Sequence, residues 1–456
     1  MSDYDEFIAS KLSRFEGRGI DVADLEISAS LFPHQIDLVR WALAKGRAAV
    51  FADTGLGKTA IQLEWARHVS ARGRVLVLAP LAVAQQTERE AARLGIGCAY
   101  TRQDTGAPIV VTNYDRIHLF DPSLLAGVVL DESSILKSYD GATCAALIDA
   151  FSRVPFRLAC TATPAPNDFT ELGNHSEFLG AKTRVEMLAE FFCHDGGSTQ
   201  DWRLKGHARR VFWEWVTSWG AVVRSPADLG HDASAYALPE LRWHAHAVGV
   251  DHSQAHASGS LLLAGAGLAE QRAIRRSTIG ARVEAAAALV DNDRPAVIWC
   301  ELNDEGDALA AAIPGSVNVA GSDPSEEKER KLAAFSDGSV RVMISKPKIA
   351  GFGLNWQHCA NVVFVGASHS YEQTYQAVRR CWRFGQRSPV DVHVIAAETD
   401  AAIVDNYRKK EAAAALMFDE SAPMVRDAVR ASMAATSRSW NEYAPNQQME
   451  IPRWLT

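Results

Sequence analysis

Twice along this chain, short apolar β-prone runs alternate with stretches of helical spacing, and that rhythm constrains the fold more than any other feature. The first series runs Ala48 to Phe51, Val75 to Leu78, Ile109 to Thr112, Val128 to Leu130 and Arg157 to Cys160. The second runs Ala296 to Cys300, Val317 to Val319, Val340 to Ile344, Val362 to Val365 and Val390 to Ile395. Runs this short and apolar read as buried strands, and helical links between them make the sheets parallel. The expected fold class is α/β, with two parallel-sheet units. Between them, residues 167 to about 245 are rich in Trp, His and Arg and place Phe212, Val216 and Trp219 at i, i+4 and i+7, the pattern of a mostly helical insertion.

A length of 456 residues gives room for two or three such units. With 47% hydrophobic and 22% charged residues the chain is neither disordered nor fibrous. A formal charge of −8 argues against nonspecific coating of nucleic acid, though not against a local basic groove. The cysteines, Cys98, Cys144, Cys160, Cys193, Cys300, Cys359 and Cys381, form no C-x-x-C pair and no zinc-ligand spacing, which fits reduced thiols in a cytoplasmic setting. The acidic N-terminus lacks an apolar signal core, and no stretch approaches the ~18 to 20 apolar residues of a membrane span.

The run Ala52-Asp53-Thr54-Gly55-Leu56-Gly57-Lys58-Thr59 follows a strand run and opens a helical stretch from Thr59 to Ser70. That is the context of a phosphate-binding loop: Gly55 and Gly57 let backbone N–H groups close on phosphate oxygens, with Thr54 and Leu56 in the same cradle. Lys58 can place its ammonium on the β- and γ-phosphates of a bound nucleotide such as ATP, and the Thr59 hydroxyl can ligate Mg²⁺. Ala52 stands where the pattern has its first Gly, which costs little if its φ is negative. A second strand run, Val128-Val129-Leu130, ends in Asp131 and Glu132, where Asp131 can share the Mg²⁺ and Glu132 can act as general base on an attacking water. Near the end of the second unit, Gln376 to Gln386 carries Arg380 and Arg383 three residues apart, a spacing that puts both on one helical face. Arginines brought to a γ-phosphate stabilise the charge on the transferring phosphoryl group.

These elements in this order resemble the superfamily 2 helicases and translocases, most closely their Swi/Snf-like branch. Leu31-Phe32-Pro33-His34-Gln35 resembles the adenine-recognition element, implying that Gln35 contacts the base. Asp53 to Thr59 resembles motif I, and Leu78 to Leu81 and Thr112 to Tyr114 resemble elements that meet the nucleic-acid backbone. Asp131-Glu132-Ser133-Ser134 takes the place of D-E-A-H, followed by Leu136-Lys137-Ser138, and Thr161 to Pro164 with Asn167 resembles motif III. Ser345 to Asn355 resembles motif V, implying that Gly353 approaches the nucleotide, and Gln376 to Gln386 resembles motif VI, with Gln376, Arg380 and Arg383 in its catalytic positions. The resemblance implies two RecA-like lobes with ATP in the cleft. Their expected boundaries are 31–166 and 240–410, with an N-terminal extension over 1–30, the helical insertion and linker over 167–239, and a tail over 411–456. The block around His194 to Gly197 and Trp202 to His207 is similar to compact helicases of bacteriophages and prophages, implying phage replication or recombination proteins as partners.

Three departures stand out: Ser133 and Ser134 replace Ala and His, Arg379 stands where the Swi/Snf-like pattern has Asp, and Trp382 where it has His. The expected activity is an ATP-driven motor on nucleic acid, with DNA favoured over RNA by the resemblance. The competing readings are a double-stranded DNA translocase that never separates strands, and an ATP-gated clamp with little turnover. Trp202, Arg203, Lys205, Arg209, Arg210, Trp213, Trp215, Trp219 and Arg224 could stack bases and track phosphates, but their periodicity favours an amphipathic helix. His244, His246, His252 and His256 lack a completing Cys or carboxylate pattern and read as surface histidines.

Overall fold

The computed structural model describes residues 15, 17, 19–137, 141–165, 168–194, 202–249, 276–350, 355–366, 371–397, 418, 420–422 and 424–431. Six strands follow one another through its first part: β1 (Arg47–Ala52), β2 (Arg74–Ala79), β3 (Ala99–Tyr100), β4 (Ile109–Asn113), β5 (Leu125–Asp131) and β6 (Phe156–Cys160). After a separate antiparallel ribbon of β7 (Phe192–His194) and β8 (Trp202–Leu204), the chain returns as β9 (Gly220–Val223). The first sheet has the order β3-β4-β2-β5-β6-β1-β9 and is parallel at every pairing. The second holds β10 (Leu241–Val248), β11 (Ala296–Cys300), β12 (Val317–Val319), β13 (Val342–Ser345), β14 (Asn361–Val365) and β15 (Val390–Ala397), in the order β10-β15-β14-β11-β13-β12, again all parallel. Two all-parallel α/β sheets are the units expected from the strand rhythm, and they are consistent with the two RecA-like lobes that the resemblance implies. Central strands such as β4, β11 and β14 are buried along their whole length, because helices cover both faces and leave no side for polar residues.

Residues 167–239 do carry helices, at Leu172–Leu179, Arg184–Phe191 and Arg209–Trp219. They also contain β9, which periodicity did not reveal. The helix Arg209–Trp219 buries Phe212, Trp213, Trp215, Val216 and Trp219 in the same core as β1, with the Trp219 ring edge-on to Phe51 at 6.0 Å. Having docked there, the chain runs straight into β9 beside β1, Gly220 opposite Ala49. Four small and β-branched residues directly after a helix give too short a signal to separate from the helix itself.

This packing decides the aromatic segment in favour of the amphipathic helix. Trp213, Trp215 and Trp219 are buried, Arg210 pairs with Glu214 at 2.8 Å, and Arg209 pairs with Glu420 at 2.7 Å. Glu420 also accepts a 2.7 Å hydrogen bond from Trp213 Nε1, and Phe418, Val425 and Val429 complete the first-lobe core. On the second sheet, His244 and His246 of β10 face His393 of β15: His246 Nε2 lies 2.9 Å from His393 Nδ1 and the His244 ring stacks on His393 at 4.7 Å. Among the described residues no His, Cys, Asp or Glu cluster could hold a metal ion, and His252 and His256 lie outside them. No described helix is long and apolar enough to cross a membrane.

Candidate nucleotide site between the lobes

The loop after β1 is shaped by its two glycines. Gly55 has φ +90 and Gly57 φ +79, the left-handed region that a side chain disfavours. Space is tight as well: a Cβ on Gly57 would lie 2.1 Å from Gln35 Nε2 and displace that amide from the loop, and one on Gly55 would lie 3.1 Å from Cβ of Phe384 in the second lobe. Among the described residues Glu132 is the one non-glycine with positive φ, so Ala52 occupies ordinary backbone and its departure from Gly is harmless. Gln35 Nε2 donates to Leu56 O at 3.0 Å, and His34 Nε2 lies 3.3 Å from the same carbonyl. The start of the helix Pro33–Lys45 thus braces the loop. Thr54 N donates to Asp53 Oδ1 at 2.6 Å.

Gly57 caps the helix Lys58–Ser70, whose first two residues are Lys58 and Thr59. The N-terminal end of that helix carries partial positive charge toward the loop. Lys58 Nζ donates to Ala52 O at 2.8 Å and Asp53 O at 3.3 Å. Burial holds its ammonium below the usual lysine range, against the opposing pull of Glu132, Asp53 and Asp131. Gln62, one helical turn beyond Lys58, donates from Nε2 to Asp131 Oδ1 at 2.7 Å. It was missed from the sequence, where only its i+4 spacing from Lys58 marks it.

Asp131 ends β5, with Tyr114 Oη donating to its carbonyl at 2.7 Å. Glu132 follows at φ +58, strained backbone that turns its carboxylate back to the site. Its Oε1 accepts hydrogen bonds from Thr161 Oγ1 at 2.6 Å and Ser134 Oγ at 3.3 Å. Burial raises both carboxyls above their usual range, opposed at Asp131 by the Gln62 bond and at Glu132 by the charge of Lys58. The Ser133 and Ser134 departures therefore leave the acidic loop coupled to the Thr161 segment. Ser133 Oγ meets His175 Nε2 at 3.1 Å, an imidazole supplied by the helix Leu172–Leu179.

The second lobe reaches this site with the helix Tyr371–Val378 and the turn after it. The helix stops at Val378, so Arg380 and Arg383 do not share a helical face as their spacing suggested. The backbone tightens there: Arg380 N bonds Ala377 O and Cys381 N bonds Val378 O, while Arg380 O accepts from Trp356 N at 2.9 Å. Arg380 Nη2 donates to Oε1 of the buried Gln376 at 3.3 Å. Burial and the neighbouring Arg383 push the Arg380 guanidinium down to about 9, while Glu132 and Asp131 of the first lobe pull it up. Arg383 bonds instead to Asn355 Oδ1 of its own lobe, and burial lowers it to about 10. Gly353, Asn167 and Ser138 lie outside the described residues.

The turn bearing Arg380 and Arg383 lies in the segment that a comparison with known families matches. The chain carries a helicase conserved C-terminal domain. Residues 283–385 match that domain, which supports membership of helicase superfamily 2 and implies action on nucleic acid. No curated protein matches the chain. The matched segment holds Arg380 against Gln376 and meets the first-lobe loop through Arg379 on Asp53, while Arg383 turns to Asn355 of its own lobe. A lysine, two carboxylates and a guanidinium converging from two lobes can bind a polyphosphate, activate a water and neutralise a leaving phosphate.

Proposed function

We propose that this chain is an ATP-driven nucleic-acid motor that hydrolyses ATP between its two lobes and acts on DNA. The observation that carries the reading is the phosphate-type loop of the first lobe, with Lys58 opening its helix, held against the arginine-bearing turn of the second lobe by Arg379 and Tyr375 on Asp53. Arg380, next in that turn, feels the charge of Glu132 and Asp131. ATP would lie on the loop 54–59, its base toward Gln35. Thr59 and Asp131 offer hard oxygen donors of the kind Mg²⁺ prefers, and the bound ion would neutralise charge on the β- and γ-phosphates. Glu132 takes a proton from water as the water oxygen attacks the γ-phosphorus, and the bond from that phosphorus to the β-phosphate oxygen breaks. Arg380 and Lys58 hold the charge that accumulates on the separating phosphates.

The choice of DNA, the Swi/Snf-like branch and phage replication or recombination partners rest on the motif resemblance. Motors of this type hold the phosphate backbone more than base edges, so affinity should fall steeply with salt. Steady-state ATP hydrolysis without polymer and with single-stranded DNA, double-stranded DNA or RNA tests the reading, with Lys58→Ala as the blank. Stimulation by DNA and loss of turnover in a folded Lys58→Ala protein are expected. Residual Mg²⁺-dependent turnover in that variant would remove the site assignment. Strand displacement on forked DNA then separates unwinding from translocation alone.

A further inference from the structure

Two of the three departures in the sequence, Arg379 and Trp382, prove to be one structural unit. Arg379 is buried, yet it reaches out of its own lobe and pairs through Nη2 with Asp53 Oδ2, the second residue of the phosphate loop. Tyr375, one turn earlier, donates from Oη to Asp53 Oδ1 at 2.6 Å and accepts from Arg379 Nε at 3.2 Å. The Arg379 guanidinium lies over the Trp382 ring at 4.6 Å from its centroid, and Trp382 Nε1 donates to Pro239 O at 2.7 Å, in the segment leading into β10. A chain of contacts thus runs from the phosphate loop through Asp53, Arg379 and Trp382 to the interlobe connection. An aspartate at 379 would set two carboxylates against each other here, whereas Arg379 gives Asp53 an opposite charge.

We propose that Arg379 is a positioning residue that ties the arginine-bearing turn of the second lobe to the phosphate loop through Asp53, with Trp382 and Tyr375 holding its guanidinium in place. The proposal rests on the reading of the site as an ATP hydrolase. Arg379 touches no phosphate in this scheme. Its neighbour Arg380 follows it in a tight turn, so anchoring Arg379 to Asp53 fixes where Arg380 stands relative to Glu132 and Asp131. Two hydrogen bonds to one carboxylate, one of them also an ion pair, with the guanidinium flanked by two aromatic rings, give that anchor a defined direction.

The test is a double-mutant cycle on the full chain with Asp53→Asn, Arg379→Ala and their combination, reading kcat, KM and binding of a fluorescent ATP analogue. Arg379→Ala should lower kcat about tenfold or more while analogue affinity stays within about threefold, because the loop that binds the phosphates is intact. In the Asp53→Asn background the same substitution should cost little more. Arg379→Lys, which keeps the charge and loses the planar fork, should fall between. Unchanged kcat in Arg379→Ala, or losses that multiply in the double variant, would overturn the proposal. A second readout needs no turnover: small-angle scattering should show Arg379→Asp, which faces Asp53 with like charge, larger than wild type. The exchange Asp53→Arg with Arg379→Asp should restore the wild-type size, and an unchanged radius in Arg379→Asp would also overturn the tie. Wild-type protein with no more ATPase activity than Lys58→Ala would instead refute the hydrolase reading, with the scattering comparison still deciding the tie.

Discussion

Thr161 Oγ1 donates a 2.6 Å hydrogen bond to Glu132 Oε1, joining the end of β6 to the carboxylate proposed as general base. The same hydroxyl oxygen accepts from Thr163 N at 3.1 Å, so the bond continues into the backbone of the following segment. The charge of Glu132 is thereby linked to backbone three residues beyond β6.

Thr161→Val should keep the shape and remove that bond. A hydrogen bond to a charged group is worth roughly 1.5–3 kcal/mol, so turnover should fall about tenfold or more with ATP affinity little changed. Glu132 must be ionised to accept a proton, so activity rises with pH through its pKa, which burial holds above the usual carboxylate range. The Thr161 bond lowers that pKa, so the acid limb of the kcat profile should move to higher pH in Thr161→Val. A limb that stays in place would show that another group controls it.

Arg380→Ala should remove the guanidinium that the second lobe brings to the carboxylates. Arginines delivered to a γ-phosphate contribute ~10³ to 10⁵ in rate, so turnover should drop by about 10³-fold or more. Equilibrium binding of an ATP analogue, read beside kcat, should stay near wild type.

Stability should carry the signature of His175. Its ring is buried edge-on to Phe51 at 5.1 Å, and burial lowers its pKa from 6.5 to about 4. Above 6.5 the ring is neutral in both folded and unfolded chains and costs nothing. Between 6.5 and about 4 only the unfolded chain takes up the proton, so stability falls as pH falls through that window. Thermal melting across the window should show a smaller loss for His175→Gln than for wild type, and an equal loss would clear His175 of the effect.

Trp219→Ala should destabilise the first lobe although residue 219 lies in the segment that reads as an insertion. Its indole is fully buried against Phe51 and Trp215, at 6.0 and 5.4 Å. Truncations of this size cost roughly 3–5 kcal/mol. Urea unfolding monitored by far-ultraviolet dichroism should show the lower midpoint; an unchanged one would mean the helix is not integral to the lobe.

What could be read from the residues alone was local. Gly55, Gly57, Lys58 and Thr59 declare their loop because its chemistry needs those side chains at adjacent positions. Most of the ten expected strand runs announce themselves because burial on both faces demands unbroken apolar sequence; β12 and β15, interrupted by Asn318, Asp391 and His393, show through the valines around those residues. β10 stayed hidden, since Arg242, His244 and His246 make an edge strand look like a linker. β9 was hidden by its shortness, and the helical face expected for Arg380 and Arg383 was ended by a turn.

Tertiary structure decided everything that depends on partners distant in the chain. Asp53 and Arg379 lie 326 positions apart, and Ser133 and His175 lie 42 apart. Nothing in either local pattern names the other, because a buried charge or hydroxyl is satisfied by whichever group the fold brings within bonding distance. The sequence by itself specified the loop, lysine and carboxylates proposed to hold a polyphosphate; only the packing of two lobes decided that Arg379 grips the loop at Asp53.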